Sequence, residues 1–393
     1  MLRMTDMDLT NKRVLIREDF NVPIVQGKIR SDRRLRITLP TIRKALAQNA
    51  GVILMSHLGR PNEGEVTLKH SLAPVAAWLS EYLSQPVQLW TDDLDKLKIE
   101  PGRVVLLENV RFNTGETAND AQLARRYASL CDIFVMDAFG TAHRANASTY
   151  GVAEHAPEAC AGPVLVRELA ALDRILENPK KPVVAIVGGA KTAGKLGLLG
   201  ALIEQVDTLI VGGGIANTFV AAKGHAVHNS LHEKDQIEKV SKLISLADTH
   251  SVALPVPDDV VVASQCADDA QWRVCGVDEL KNGEAIFDVG PKTIDVYQQL
   301  VAEAGTVIWN GPIGVFEIES FADGTRAIAE AVAGSMAHSV VGGGDTLAAL
   351  EQFNVLDRMS YISSGGGAFL TKLEGKSLPA VEILDERARS QAA

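Results

Sequence analysis

Short β-branched or leucine-rich runs, each followed by a turn and an amphipathic stretch, recur along this chain and confine it to few architectures. Val14 to Ile16, Val52 to Met55, Val87 to Leu89, Val104 to Leu107 and Ile133 to Met136 are of strand length. Between them, Ser71 to Ser84 opens on a capping serine and repeats Leu72, Val75, Ala76, Leu79 and Leu83 at helical spacing. Asp120 to Leu130 does the same with Leu123, Tyr127 and Leu130. Strands alternating with helices call for a parallel sheet covered on both faces. The second half repeats the scheme at Val183 to Val187, Thr208 to Val211, Val307 to Trp309, Ser339 to Val341 and Tyr361 to Ser363. The fold class is therefore α/β, two doubly wound, Rossmann-like parallel-sheet lobes.

Pro163 to Glu177 carries apolar residues at 165, 169, 172 and 176 and ends at Asn178-Pro179, so it reads as a helix joining the lobes. The expected division is an N-terminal lobe over 1–165, an interdomain helix and hinge over 166–180, and a C-terminal lobe over 181–376. The length of 393 residues accommodates this without disulfide or metal staples. With 46% hydrophobic and 22% charged residues the chain is globular and not disordered. No apolar run reaches the ~18 residues of a bilayer span, and the N-terminus MLRMTDMDLTNKR has no apolar secretory core. A cytoplasmic protein without a membrane role is the expectation. Cys131, Cys160, Cys266 and Cys275 form no C-x-x-C pair and have no histidine at zinc spacing, as befits unpaired thiols in a reducing compartment.

The net charge of −10 argues against nucleic-acid binding, and its distribution is uneven. Residues 1–170 carry 21 Lys and Arg against 20 Asp and Glu, and 15 of those 21 are arginine; residues 171–393 carry 18 against 29, with only 6 arginines. Arginine is the side chain whose planar fork matches carboxylate and phosphate oxygens, so the first half is the place for a small anion. The second half instead has glycine runs after its strands, at Gly188-Gly189, Gly212 to Gly214, Gly342 to Gly344 and Gly365 to Gly367. One such run serves a tight turn as readily as a ligand. Four in one lobe favour a polyphosphate held by backbone N–H groups and helix N-termini.

Three familiar motifs fail. Gly189 to Lys195 fits G-x-x-x-x-G-K, but Leu196 follows where a P-loop needs a hydroxyl for magnesium. Asp19-Phe20-Asn21 has no accompanying H-R-D catalytic loop, which excludes a protein kinase. No glycine run has the G-x-G-x-x-G spacing with an acidic residue ~20 positions on, which disfavours a nicotinamide enzyme. The first half offers Arg17-Glu-Asp-Phe-Asn-Val-Pro23, Arg34 within Ser31 to Arg36, His57-Leu-Gly-Arg60-Pro61, Asn109-Val-Arg111-Phe112 and Asp137 to Arg144. Each is expected at the carboxyl end of a strand or in the loop beyond, where loops of one sheet converge.

Read in order, REDFNVP, SHLGRP, ENVRF, MDAFGTAHR, VGGAK, WNGPIGVFE, GGGDT and SGGGAFL resemble the phosphoglycerate kinase family from about Val14 to about Leu373. The resemblance implies a glycerate-binding N-lobe, a nucleotide-binding C-lobe and a C-terminal segment, 377–393, returning to the N-lobe. It implies a 3-phosphoglycerate or 1,3-bisphosphoglycerate pocket of Asp19, Asn21, Arg34, His57, Arg60, Arg111 and Arg144. Arg34, Lys191 and Gly366 would act on the transferring phosphoryl group. ADP or ATP would meet Lys195, Gly213, Gly214, Asn310, Pro312, Glu317, Gly343, Gly344, Asp345 and Thr346, with Mg2+ on the side of Asp345. A monomer is implied as well. Glu18, Gly194 and Ser364 depart from the family's usual residues. None of these removes a charge that the reaction needs.

The chemistry agrees. A carboxylate nucleophile is ionised at pH 7 and requires no general base, whereas phosphoryl transfer needs alignment and neutralised charge. The alternatives are a two-lobed phosphotransferase for another carboxylate, or a non-catalytic nucleotide-binding protein.

Overall fold

A computed structural model describes residues 1–392; Ala393, the end of the C-terminal segment discussed above, lies outside the described residues. The chain divides into two compact units, Met1–Ala170 with Ser377–Ala393, and Ala171–Lys376.

In the first unit, β1 (Arg13–Arg17) leads through a small hairpin, β2 (Ile24–Val25) and β3 (Lys28–Ile29), to α1 (Arg33–Ala47). Then follow β4 (Gly51–Met55), α2 (Ala73–Leu83), β5 (Val87–Trp90), β6 (Val104–Leu107), α3 (Ala121–Ser129), β7 (Ile133–Met136), α4 (Val152–His155), β8 (Glu158–Ala161) and α5 (Pro163–Glu177), whose second half, from Ala171, belongs to the second unit. The six long strands form one parallel sheet in the order β5-β6-β4-β1-β7-β8. β4, β6 and β7 are buried at every position, as strands covered on both faces must be. Asp120 caps α3 by accepting from Leu123 N at 2.8 Å. Ser71 is not the N-cap residue of α2, a place taken by Leu72, but its hydroxyl accepts from Ala73 N, the first of the helix, at 3.2 Å while donating to Glu108 at 2.7 Å.

The second unit contains β9 (Val183–Val187), α6 (Leu196–Ile203), β10 (Thr208–Val211), α7 (Gly213–Ala222) and α8 (Ile237–Thr249). A three-stranded antiparallel sheet follows, β11 (Asp259–Ala263), β12 (Trp272–Gly276) and β13 (Ala285–Val289). The chain continues through α9 (Pro291–Glu303), β14 (Thr306–Asn310), α10 (Asp323–Gly334), β15 (His338–Val341), α11 (Gly344–Gln352), β16 (Tyr361–Ile362) and α12 (Gly366–Leu373). The main sheet is parallel in the order β10-β9-β14-β15-β16. β9 and β14 are neighbours from which the chain continues to opposite sides of the sheet, to β10 and to β15, and that reversal leaves a crevice beyond their carboxyl ends.

Finally α13 (Pro379–Ala392) belongs to the first unit. Ala380 N donates to Ala142 O at 3.1 Å, Arg387 donates to the carbonyls of Ala156 and Pro157, and the amino terminus pairs with Asp385 at 2.7 Å.

Candidate functional site

The first unit gathers its arginines around one histidine. Asp19 and Asn21 follow β1, His57 and Arg60 follow β4, Arg111 follows β6, and Arg144 follows β7. Arg34 differs from its expected place: it sits in the first turn of α1, not in a strand-end loop. A cation there opposes the helix dipole. Arg34 is held by Asn21 O at 2.9 Å and by Asp19 at 3.5 Å, and Asn21 in turn accepts from Gly59 N at 2.9 Å. Arg111 donates to Gly59 O.

Like charges crowd this pocket. His57 is held well below its usual pKa, first by burial and then by Arg17, Arg111, Arg144 and Arg34. Arg111 is lowered to about 10 by burial, with Arg144, Arg17 and Arg60 adding to it. His143 is lowered too, by burial and by Arg144, whose Nε donates to His143 Nε2 at 3.1 Å. Arginines that depress one another's charge are arranged for an anion.

The second unit offers two clefts. One, of about 390 Å³, is lined by Lys191, Lys195, Asn310, Gly343, Gly344, Asp345 and Thr346. Lys195 Nζ donates to Gly188 O at 2.6 Å, to Asn310 Oδ1 at 2.6 Å and to Asn310 O at 3.2 Å, across the carboxyl ends of β9 and β14. Burial lowers its pKa to about 8, and Asp345 pulls the other way. Lys191 and Asp345 are exposed. Thr346 accepts from Gly311 N at 2.7 Å, and Gly343 has φ +102° in its turn before α11. Gly366 opens α12 across from Gly343.

The other cleft, about 290 Å³ and mostly apolar, is lined by Gly213, Gly214, Pro257, Phe287, Ile313 and Val315 among others. Pro312 and the exposed Glu317 lie on the loop after β14, and the thiol of Cys266, which lines the cleft, is raised first by burial and then by Glu317. Of the nucleotide set named from sequence, Lys195, Asn310, Gly343, Gly344, Asp345 and Thr346 thus line the first cleft and Gly213 and Gly214 the apolar one, while Pro312 and Glu317 line neither.

Sequence reasoning missed several supporting groups. Asp288, lifted to about 7 mainly by burial, accepts from Gly324 N at 2.7 Å and Val289 N at 2.9 Å beside the apolar cleft. Thr325 accepts from Ile313 N and Gly314 N, both at 3.1 Å. Arg17, Glu116 and Ser148 lie behind His57. Only Arg17 stood in a motif; the others carry no local signal.

An arginine-lined anion pocket on one α/β unit and glycine-rich strand-to-helix turns with two lysines on another serve phosphoryl transfer, so the class is a phosphotransferase. The phosphoglycerate kinase family model matches residues 4–376. A curated phosphoglycerate kinase of Coxiella burnetii is 56% identical over 386 residues, covering 98% of this chain and 99% of its own. The solved structure of phosphoglycerate kinase from Coxiella burnetii superposes with a TM-score of 0.91 at 55% identity, covering 99% of each chain. That of phosphoglycerate kinase from Pyrococcus horikoshii OT3 gives 0.84 at 30% identity, covering 99% of this chain and all of that one. The chain belongs to the phosphoglycerate kinase family.

Proposed function

We propose that this chain reversibly transfers a phosphoryl group between 1,3-bisphosphoglycerate and ADP, giving 3-phosphoglycerate and ATP by direct in-line transfer. The observation that carries the reading is the crowding of Arg17, Arg34, Arg60, Arg111 and Arg144 around His57 and one another, a charge excess suited to a small phosphorylated acid. Asp19, Asn21, Arg34, His57, Arg60, Arg111 and Arg144 bind the glycerate. Gly213, Gly214, Pro312 and Glu317 take the base and ribose, and Lys195, Asn310, Gly343, Gly344 and Thr346 take the phosphates. Arg34, Lys191 and the N-terminus of α12 at Gly366 neutralise charge on the transferring group.

The attacking carboxylate is already ionised, so the protein's work is alignment and electrostatics. Among the described residues no cluster of three His, Cys, Asp or Glu could hold a metal unaided. A lone exposed Asp345 beside Lys195 fits magnesium that is bound chiefly by nucleotide phosphates. Held on the side of Asp345, the ion would supply positive charge against the phosphate oxygens.

Transfer in competition with water requires exclusion of solvent, so we place a hinge within Gly162 to Pro179 that closes on binding both substrates. Small-angle scattering should report a smaller radius of gyration with both ligands; an unchanged value would remove the hinge. The chain acts as a cytoplasmic monomer that uses neither nucleic acid nor membrane. Among the described residues no helix is long and apolar enough to cross a membrane.

The test is a coupled assay with 3-phosphoglycerate, magnesium and ATP, following NADH oxidation through added glyceraldehyde-phosphate dehydrogenase, on the native chain and on Lys191→Ala. Turnover that collapses in the variant supports both the reaction and the lysine's role. No turnover from a folded, ATP-binding protein would sink the substrate assignment.

A further inference from the structure

The groups buried behind His57 determine where its proton sits. Arg17 ends β1 and is 2% exposed. Its Nη2 lies 3.3 Å from His57 Nδ1. A guanidinium has donors only and stays charged over the physiological range, so Nδ1 must accept and therefore carries a lone pair. The one proton of the neutral ring is then on Nε2, and among the described residues no protein group receives it.

Arg17 is itself oriented from the far side. Its Nε donates to Ser148 Oγ at 3.0 Å, its Nη1 donates to Glu18 O at 2.5 Å, and the second contact of Nη1, with Ser56 Oγ, is long at 3.5 Å. The Ser148 hydroxyl, having accepted from Arg17, donates to Glu116 Oε1 at 2.5 Å, and Ser148 N donates to Glu116 Oε2 at 3.2 Å. Ser148 and Glu116 are buried. With Glu116 ionised, which burial confines to pH above about 6, each bond in the series has one direction: Arg17 is the donor at its centre, Glu116 the acceptor at one end, and His57 Nδ1 the acceptor at the other. The last of these holds whatever the state of Glu116.

We infer that Arg17, Ser148 and Glu116 are positioning residues that hold His57 as the neutral Nε2–H tautomer, so that it serves the glycerate pocket as a hydrogen-bond donor and not as a cation. This rests on the proposed function for the identity of the ligand, but the tautomer does not. The charged groups facing the ring are Arg17 from β1, Arg34 from α1, Arg111 from the loop after β6 and Arg144 from the loop after β7. An imidazolium would join four cations already there, and protonating Nδ1 would break the bond to Arg17. Affinity for the anion is then carried by arginines, whose charge is constant over the physiological range.

Long-range nitrogen–proton NMR correlation on the whole protein with 15N-labelled histidine reads the tautomer directly, with His57→Gln identifying the signals. From pH ~8 down to ~5.5, through the ordinary histidine range, only Nε2 should carry a proton. A proton on Nδ1, or an imidazolium appearing with a midpoint near 6.5, overturns the inference even if the enzyme turns over. A correct tautomer in a protein without turnover would leave the inference standing and remove the substrate assignment. The second measurement is KM for 3-phosphoglycerate in Arg17→Met divided by that of the native chain, which cancels titration of the substrate. That ratio should fall between pH ~8 and ~6, as His57, freed of one of the four cations that face it, gains charge at a higher pH than in the native chain. Arg17→Lys, which keeps a donor for Nδ1, should restore a flat ratio. A flat ratio in Arg17→Met would overturn the inference, and if that variant does not fold, the native spectrum still decides.

Discussion

The two units offer an anion different groups. In the first, cations are side chains fixed in advance: Arg17 and Arg111 are buried, Arg34 is tied to Asn21 O and Asp19, and two histidines each accept from an arginine. In the second, the polar groups are mainly backbone at glycine turns, and Lys195 occupies itself with the carbonyls of Gly188 and Asn310. A fixed cluster of arginines selects a rigid anion and keeps its charge at any physiological pH. Backbone N–H groups accept the varied oxygens of a polyphosphate, and a lysine among them is open to pH.

The largest expected effect lies where the comparison breaks down, at the transferring group, to which the proposed function assigns a donor of each kind. Arg34→Ala from the first unit and Lys191→Ala from the second should each lower kcat by about 10²–10³-fold, the usual consequence of removing one preorganised donor. Steady-state kinetics at saturating substrates would show it. If only one of the two variants loses kcat, the transition state is served by one unit alone.

Backbone recognition demands close packing, so the second unit should be the less tolerant of added atoms. A Cβ at Gly188 would lie 1.8 Å from Pro312 O, and one at Gly311, already at φ +103°, 2.2 Å from Gly188 O. Gly188→Ala should destabilise that unit by about 3 kcal/mol, at the upper end of overpacking costs, in urea unfolding. A loss below ~1 kcal/mol would mean that the β9 and β14 ends separate easily, against the rigidity assumed here.

Side-chain recognition leaves a different burden in the first unit. Glu18 is fully buried beside Arg17, and neither carboxyl oxygen has a hydrogen-bond partner. Burial, and then Asp137, hold its pKa well above the usual 4.5, so it is neutral in the fold. Asp137, which accepts from Val164 N and Leu165 N at the start of α5, is itself pushed up to about 6. The folded-state pKa of Glu18 is the higher one, so its contribution is complete below pH 4.5 and drains away as pH rises toward the folded value. Glu18→Gln keeps the volume without the ionisation. It should stabilise by about 1–2 kcal/mol at pH 7.5 and change little at pH ~4.5, as thermal melts at the two pH values would register. Equal effects at both would show that Glu18 is charged in the fold.

The pH contrast between the units follows from Lys195, whose pKa in the free protein is about 8. Bound phosphates favour its charged form, so affinity for ADP with magnesium should fall about tenfold from pH 7 to 9, as neutral lysine must first be protonated. Binding of 3-phosphoglycerate should stay level over that interval, because Arg111 titrates only at about 10. Calorimetry on Lys195→Arg should return a level nucleotide affinity; a slope surviving in that variant would place the titration elsewhere.

How much of this is legible in the sequence depends on how local the cause is. β6, β7 and α5 can be read to the residue, since a strand buried on both faces is an unbroken apolar run and α5 has a proline start and an Asn-Pro end. α1 escapes the pattern: Arg33, Arg34 and Arg36 crowd its first turn and Pro40 lies inside it. The antiparallel sheet is also hidden, since β12 exposes Trp272 and Val274 and so lacks a strand-core signature. At the candidate site, motif order brings out the charged residues that follow strands. It cannot bring out Glu116 and Ser148, whose bonds to each other and to Arg17 exist only once β1, the loop after β6 and the segment before α4 are assembled.

The smallest effect tests whether every glycine of the phosphate loops is there for the same reason. Gly194 departs from the family's usual residue, and unlike Gly188 it has nothing within 4 Å of a built Cβ and no left-handed φ. Backbone packing therefore does not require glycine at 194, and the residue costs the fold unfolded-state entropy that alanine would not. Gly194→Ala should raise stability by about 0.4–1 kcal/mol, the opposite sign to Gly188→Ala. If urea unfolding shows both alanines destabilising, the loop before α6 is constrained along its whole length, and the second unit recognises phosphate through a backbone as rigid as the first unit's arginines.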